Sequence, residues 1–366
     1  MAWRNRVEVS YGALRTNVAA VRRAAGGRAV IAVAKADAYG LGLERCARVY
    51  HSAGVAALAV ATVGEADRVR RAVPEARVLL LGFPLPVERP AVAASGYEIC
   101  CSSLEEVDEF DHLAHLRAPL AMHVNVDTGM GRFGAPPDLA EAIVRRVLAS
   151  PHLRLAGVMS HYPMAANVGF ATEQEQRFHA LLARLPPLPE GCWVHLANSE
   201  GVLLRPPGPT NAVRVGLLLT GILPDGCPDP GLVPAVSWLS AISLVKRMPA
   251  GHGISYNRSH VLTRDSLVGI VPVGYADGYP LALSNKGAAV LIQGQRCPVL
   301  GRVTMDYCIV DVSDLATPPS PGEGVVLIGS QGEERIAVSE LARLAGTIPY
   351  DLLCGLRGRC EVVGVP

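Results

Sequence analysis

The sequence has little of what marks a membrane-embedded, secreted or nucleic-acid-binding chain. Half of its 366 residues are hydrophobic, yet the longest apolar stretch, 53–62, is interrupted by a glycine and too short to span a bilayer. The first ten residues, MAWRNRVEVS, contain no apolar core, so no secretory leader is expected. Charge of one sign is not in excess. The net charge is +1 and the pI about 7.6, with no Lys/Arg run, which argues against a nucleic-acid or polyanion partner. The nine cysteines are odd in number, scattered and without a C-x-x-C pair. Adjacent Cys100 and Cys101 sit too close for an ordinary disulfide. Reduced core thiols and a cytoplasmic location are the expectation.

Several chemical signatures are missing as well. There is no H-E-x-x-H and no Cys/His ligand spacing, so no metal site is expected. No G-x-x-x-x-G-K-[ST] or G-x-S-x-G occurs, and no local pair of carboxylates suggests glycosidase chemistry.

What is present is a rhythm. Eight Val/Ile/Leu/Ala-rich runs occupy 29–34, 56–62, 77–81, 98–101, 118–126, 153–159, 192–196 and 212–219. Amphipathic stretches such as 64–73, 104–116 and 140–149 lie between them. Continuous rather than alternating apolar strands are buried on both faces. The alternation predicts an α/β chain, a (β/α)₈ TIM barrel. After Cys227 the rhythm changes. LPDGCPDPGLVP reads as a linker, and Gly-punctuated strand segments follow, with one helical stretch at 337–345. The expectation is therefore a barrel over 1–225 followed by a mostly antiparallel β domain over 226–366. About eight N-terminal residues are candidates to pair with that second domain.

A barrel places its chemistry at the C-terminal ends of its strands. Polar residues gather there: Lys35 after the first run; Asp127 and Arg132 after the fifth; Ser160 and His161 after the sixth. His195, Asn198 and Ser199 follow the seventh, and Arg214 and Gly216 lie in the eighth. The last two loops of a barrel frequently hold a phosphate. Ser199 offers a hydroxyl there, and Gly216 permits close backbone approach. A strand-end lysine combined with an anion cradle suits pyridoxal 5'-phosphate held as a Schiff base.

At this point the residues resemble the alanine racemase family. AVAKADAYGLG looks like its cofactor-lysine motif. VDTGMGRFG, SHYP, HLANSEG, VRVG, GISYNRSH, VGYADGYP, GRVTMDYCIVDV and TIPYDLLC follow in family order over nearly the whole chain. The resemblance implies a homodimer with composite sites and D-alanine supply for peptidoglycan. It implies that Lys35 holds pyridoxal phosphate and acts as one base. Tyr256, from the partner subunit, would be the other. Tyr39, Ser199 and the backbone at Gly216 and Leu217 would hold the phosphate, and Arg214 the pyridine nitrogen. His161 would link Arg214 to Tyr256. Arg132 and the Met305 backbone would bind the substrate carboxylate. Tyr275 would line the entry channel. Asp277 and Asp306, beside turn glycines or strand starts, are read as supporting the site rather than as catalytic, and Asp127 and Tyr350 as structural.

Three positions depart from the family pattern. Asn125 stands where many members carry a carboxylated lysine, Thr220 where a tyrosine is common, and Gly358 where some place an active-site tyrosine. Losing that last aromatic would admit larger substrates, so a broader or serine-preferring racemase is the alternative. More remote are a barrel-type decarboxylase, which would pair the pyridine nitrogen with an acid rather than Arg214, and a non-catalytic cofactor carrier, which would lack the β domain.

Overall fold

The computed structural model describes residues 4–114, 119–356 and 359–366. Gly358 lies outside these residues, as do the end of the stretch expected helical to 116 and the start of the run expected from 118. Its contacts divide the chain into two compact units. One comprises the N-terminal segment through Ala13, Tyr39–Gly42 and Pro234–Pro366; the other comprises Leu14–Ala38 and Leu43–Val233.

The larger unit is a closed parallel barrel of eight strands. With β1 at Asn5–Ser10, the barrel strands are β2 (Ala29–Val33), β3 (Ala57–Val60), β4 (Val78–Leu80), β5 (Glu98–Cys101), β6 (Leu120–Asn125), β7 (Leu153–Met159), β8 (Trp193–His195) and β9 (Ala212–Val215). Every apolar run of the sequence supplies one strand, as expected. β2 closes on β9, with Ile31 opposite Arg214. The strands are buried on both faces, because helices cover the outside and side chains fill the inside. The eighth run is shorter than its apolar length suggests. Gly216 leaves the strand conformation and Leu217–Thr220 becomes a 3₁₀ turn.

One strand residue has no room for a side chain. A Cβ on Gly157 in β7 would fall on the His123 ring and come within 2.9 Å of the Trp193 carbonyl oxygen. His123 lies directly across in β6 and is fully buried. The glycine is the space in which that imidazole sits.

In the other unit, β1 pairs antiparallel with Val236–Ala241 and parallel with Glu361–Val365. The sheet continues through Gly324–Gln331, Ala289–Ile292 and Gln295–Pro298. A second sheet orders Leu244–Met248, Ser266–Val271 and Cys308–Asp311, all antiparallel. The buried indole of Trp238 donates its N–H to the Asn5 amide oxygen. Beside the expected helix, here Val338–Ala345, there is a second, Pro349–Gly355. Its two turns are too short to show a helical period, although proline at the first position is a start signal.

All nine cysteines are free, and seven are buried. Among the described residues no helix is long and apolar enough to cross a membrane, and no cluster of His, Cys, Asp or Glu could hold a metal.

Gly157→Ala is expected to destabilise the barrel by about 3 kcal/mol, because rigid backbone stands on one side of the new methyl and a buried ring on the other. Chemical denaturation checks this; a loss no larger than that of an exposed Gly→Ala change would refute the packing argument.

Candidate active site

Lys35 leaves β2 on an unusual backbone. Ala34 still bonds to the barrel, its N–H donating to the Ala59 carbonyl at 2.8 Å. The next turn, Lys35–Gly40, is helical but left-handed. Ala36, Asp37, Ala38 and Tyr39 all have φ between 53° and 60°, and Gly40 has φ 82°. For residues with a Cβ this costs about 1–2 kcal/mol each. Such strain persists only where the surroundings over-determine it.

The barrel unit supplies those constraints. Glu65 closes a capping box with Thr62 at the start of helix Val63–Ala72, and its second oxygen accepts the Asp37 N–H at 3.3 Å. The Asp37 carboxylate accepts the Leu43 N–H at 3.1 Å and pairs with Arg68. Arg68 also grips Glu44 through two bonds of 2.6 and 2.8 Å, which pulls the Glu44 carboxyl down to about 2. Sequence reasoning missed this clamp, although the Thr62/Glu65 spacing is a capping signal.

Arg214, in β9, is a buried cation of the barrel. Its Nη1 donates to His195 Nδ1 at 2.8 Å and to the His195 carbonyl at 3.1 Å. Its Nη2 donates to the Ser160 carbonyl at 2.6 Å and to His161 Nδ1 at 3.1 Å. Among the described residues these bonds all end on neutral acceptors. Burial lowers the guanidinium to about 10, which leaves it charged at neutral pH. Burial, then the charges of Arg214, Arg132 and Lys35, push the His161 imidazole down to about 3. Lys35, Arg132, His161 and Arg214 therefore form one electrostatic group.

Ser199 opens the short helix Ser199–Leu204, and its Oγ accepts the Gly216 N–H at 3.3 Å. Among the described residues its own O–H remains to donate. Gly216 and Leu217 begin the 3₁₀ turn that follows β9. A lysine, a donor-only guanidinium, and a hydroxyl beside two backbone starts after the last two strands fit a phosphate-bearing aldehyde cofactor. Lys35 is the only lysine in the barrel unit; the chain has two others, Lys246 and Lys286. That scarcity was a signal available in the sequence. Asp127 is turn architecture: its Oδ1 accepts the N–H groups of Gly129, Met130 and Gly131 at 2.8 to 3.2 Å.

The other unit carries the remaining candidates. The Tyr39 ring is buried and tilts against Tyr350, with centroids 5.3 Å apart. Tyr256 is 67% exposed, on a turn where Ser255, Asn257 and Arg258 all have positive φ. Ser255 secures that turn by donating to the Arg302 carbonyl at 2.6 Å. The Met305 carbonyl accepts the Ala276 N–H at 3.1 Å, next to Tyr275, and Tyr275 N–H bonds the Thr304 carbonyl at 3.0 Å. Arg359, which the sequence reading did not single out, joins Asp306 at 2.7 Å and Asp277 at 3.2 Å.

Two outcomes are expected. Ala36→Gly removes one Cβ from the left-handed turn and is expected to stabilise the protein by about 1 kcal/mol, the reverse of the usual helix effect; a lower melting temperature would contradict the backbone assignment. In acid, His123, His161 and His195 all have folded pKa values below the ordinary 6.5. The unfolded chain therefore binds more protons. Stability from the neutral rings is present above pH 6.5 and is lost as pH falls toward 3, the value for His161. Melting temperature against pH should slope less steeply in His161→Gln; equal slopes would show that His161 does not carry its share.

Comparison with known proteins gives the family of the whole chain. Residues 9–224 match the family model for the N-terminal domain of alanine racemase, and residues 235–363 match the model for its C-terminal domain. The alanine racemase of Symbiobacterium thermophilum is 38% identical over 358 residues, 96% of this chain and 94% of that protein. The solved alanine racemase of Streptomyces coelicolor superposes with a TM-score of 0.91 at 32% identity, covering 99% of this chain and 98% of that one. The Bartonella henselae alanine racemase, solved with covalently bound pyridoxal phosphate, gives 0.89 at 28% identity, with 99% of each chain covered. The barrel with its lysine, its buried arginine and the sheet unit that follows belong to a member of the alanine racemase family.

Proposed function

We propose that this enzyme interconverts L- and D-alanine, with pyridoxal phosphate as cofactor and two bases on opposite faces of the α-carbon. When bound, pyridoxal phosphate supplies the electron sink that makes an α-proton removable. Lys35 would hold it, with Ser199, Tyr39 and the backbone at Gly216 and Leu217 on its phosphate.

The observation that carries this reading is Arg214. All its bonds among the described residues end on neutral acceptors, and it stays protonated. It can donate to a ring nitrogen but not hand over a proton. Arg214 would thereby temper the electron sink that the cofactor supplies when bound. Inverting one carbon needs a proton acceptor on one face and a donor on the other. Lys35 serves one face. Tyr256, exposed on its strained turn, serves the other from a second copy of the chain in a two-fold dimer. In this reading His161 links Arg214 to that tyrosine, and stays neutral so that it accepts from Arg214. Arg132 and the Met305 backbone bind the substrate carboxylate, with Asn125 in place of a charged prop for Arg132. Tyr275 lines the way in, and Asp306 is held by Arg359. The D-alanine formed would supply peptidoglycan.

Borohydride reduction of the holoenzyme followed by peptide mapping is expected to find the pyridoxyl label on Lys35; label on Lys246 or Lys286 would refute the assignment. Tyr256→Phe is expected to lower turnover by about 100-fold or more. In deuterated water it should also make solvent isotope incorporation unequal for the two enantiomers. Parent rates in both directions would rule out the two-base scheme. Assays with alanine and serine side by side test the substrate.

A further inference from the structure

The bond from Arg214 to His195 is the top of a longer chain. His195 Nε2 lies 2.9 Å from His123 Nδ1, and His123 Nε2 lies 2.9 Å from Glu98 Oε2. Glu98 opens β5 and His195 closes β8. The chain therefore runs through the inside of the barrel, from its N-terminal rim to its C-terminal rim. Both imidazoles are completely buried, and Glu98 is 6% exposed. At the lower end Arg77 donates to Glu98 at 2.8 and 3.0 Å, and Arg154 stands 3.6 Å away. Arg77 itself lies over the Trp193 ring at 3.7 Å.

Proton counting fixes the direction of every bond. Arg214 can only donate, so His195 Nδ1 must be a lone pair and Nε2 must carry the hydrogen. That hydrogen needs an acceptor, so His123 Nδ1 is also a lone pair and its Nε2 carries the hydrogen. Ionised Glu98 only accepts, and it closes the sequence. A proton added to either ring would set two donors against each other. The two ends of the chain are a cation and an anion, and each bond polarises the next. Burial favours neutral rings for the same reason.

Arg214 has five N–H groups. Among the described residues four are taken: two on Nη1 by His195, and two on Nη2 by Ser160 and His161. The fifth, on Nε, is the donor left for a ligand. Its direction depends on the other four bonds.

We propose that Glu98 is a positioning residue of the barrel-top site, fixing through His123 and His195 the tautomers that aim the Arg214 Nε–H at the cofactor ring. This deepens the racemase reading and relies on it for the identity of the ring. The space left by Gly157 for the His123 ring is an independent sign that the chain is built in. Without an acceptor at position 98, His123 is free to carry its hydrogen on Nδ1. His195 then takes the opposite tautomer, its Nδ1–H opposes Arg214, and the guanidinium turns. The competing account is that Glu98 only neutralises Arg77 and serves stability.

The test starts with the unsubstituted holoenzyme labelled with ¹⁵N-histidine. NMR is expected to find His123 and His195 both neutral with hydrogen on Nε2, unchanged between pH 5 and 8 by the buried-chain argument. An Nδ1–H form or a charged ring on either residue would overturn the proposal, whatever the enzyme catalyses. Glu98→Met, which keeps the length but cannot accept, is expected to lower kcat about tenfold while cofactor stays bound and KM holds within about twofold. Glu98→Gln, whose Oε1 still accepts, is expected to recover most of that loss. A Glu98→Met enzyme with lower melting temperature but parental kcat and tautomers would overturn the proposal in favour of the stability role, as would Gln failing like Met. If Glu98→Met does not fold, the tautomers of the unsubstituted enzyme still decide. If the enzyme proves not to racemise alanine, the racemase reading fails while the tautomer measurement stands as a separate result.

Discussion

The barrel unit is organised around one buried cation. A guanidinium taken out of water is costly unless each N–H finds an acceptor and a counter-charge lies within reach. Arg214 has its acceptors in two carbonyls and two imidazoles, and its buried counter-charge, Glu98, at the far end of a three-bond chain. Placing the anion next to the cation would cancel the field at the top of the barrel. Moving it away through two neutral rings keeps the positive potential there, where Lys35 and Arg132 also stand. Burial first, and the same field after it, hold His161 neutral.

Strain marks both candidate bases. Lys35 opens a left-handed turn and Tyr256 sits among three positive-φ residues. The turn at Lys35 is held by ion pairs and capping bonds from Glu65 and Arg68. The turn at Tyr256 is held by side-chain bonds from Ser255 to the Arg302 carbonyl and from Arg258 to the Gly251 carbonyl, with its aromatic ring in solvent. A tyrosine so exposed has little to bury it within its own unit, which suits a residue offered to a second copy.

Much of this was legible in the residues. Unbroken apolar runs had to be strands covered on both sides, and eight of them separated by amphipathic stretches had few architectures available. Lys35, His161, Ser199 and Arg214 stood out because each is polar at the end of, or inside, an apolar run. Glu98 and His123 satisfied the same criterion, in EICC and LAMHVN, yet were overlooked: a strand's first residue and a lone histidine are ordinary until their partners are known. Handedness after Lys35 was hidden, since KADAYG has only one glycine and good right-handed helix formers. The helix Pro349–Gly355 was too short to leave a period.

The sequence by itself determined the classes of structure and chemistry, because burial periodicity and the scarcity of lysine are properties of a linear chain. Tertiary structure decided the rest. His195 is linked through His123 to a glutamate 97 positions earlier, by their numbering, on strands that must close into a barrel before these side chains meet. The left-handed turn exists because Glu65 and Arg68 grip it from another helix. Hydrogen-bond direction and backbone strain depend on groups far apart in the chain, so they become defined only once the fold has brought those groups together.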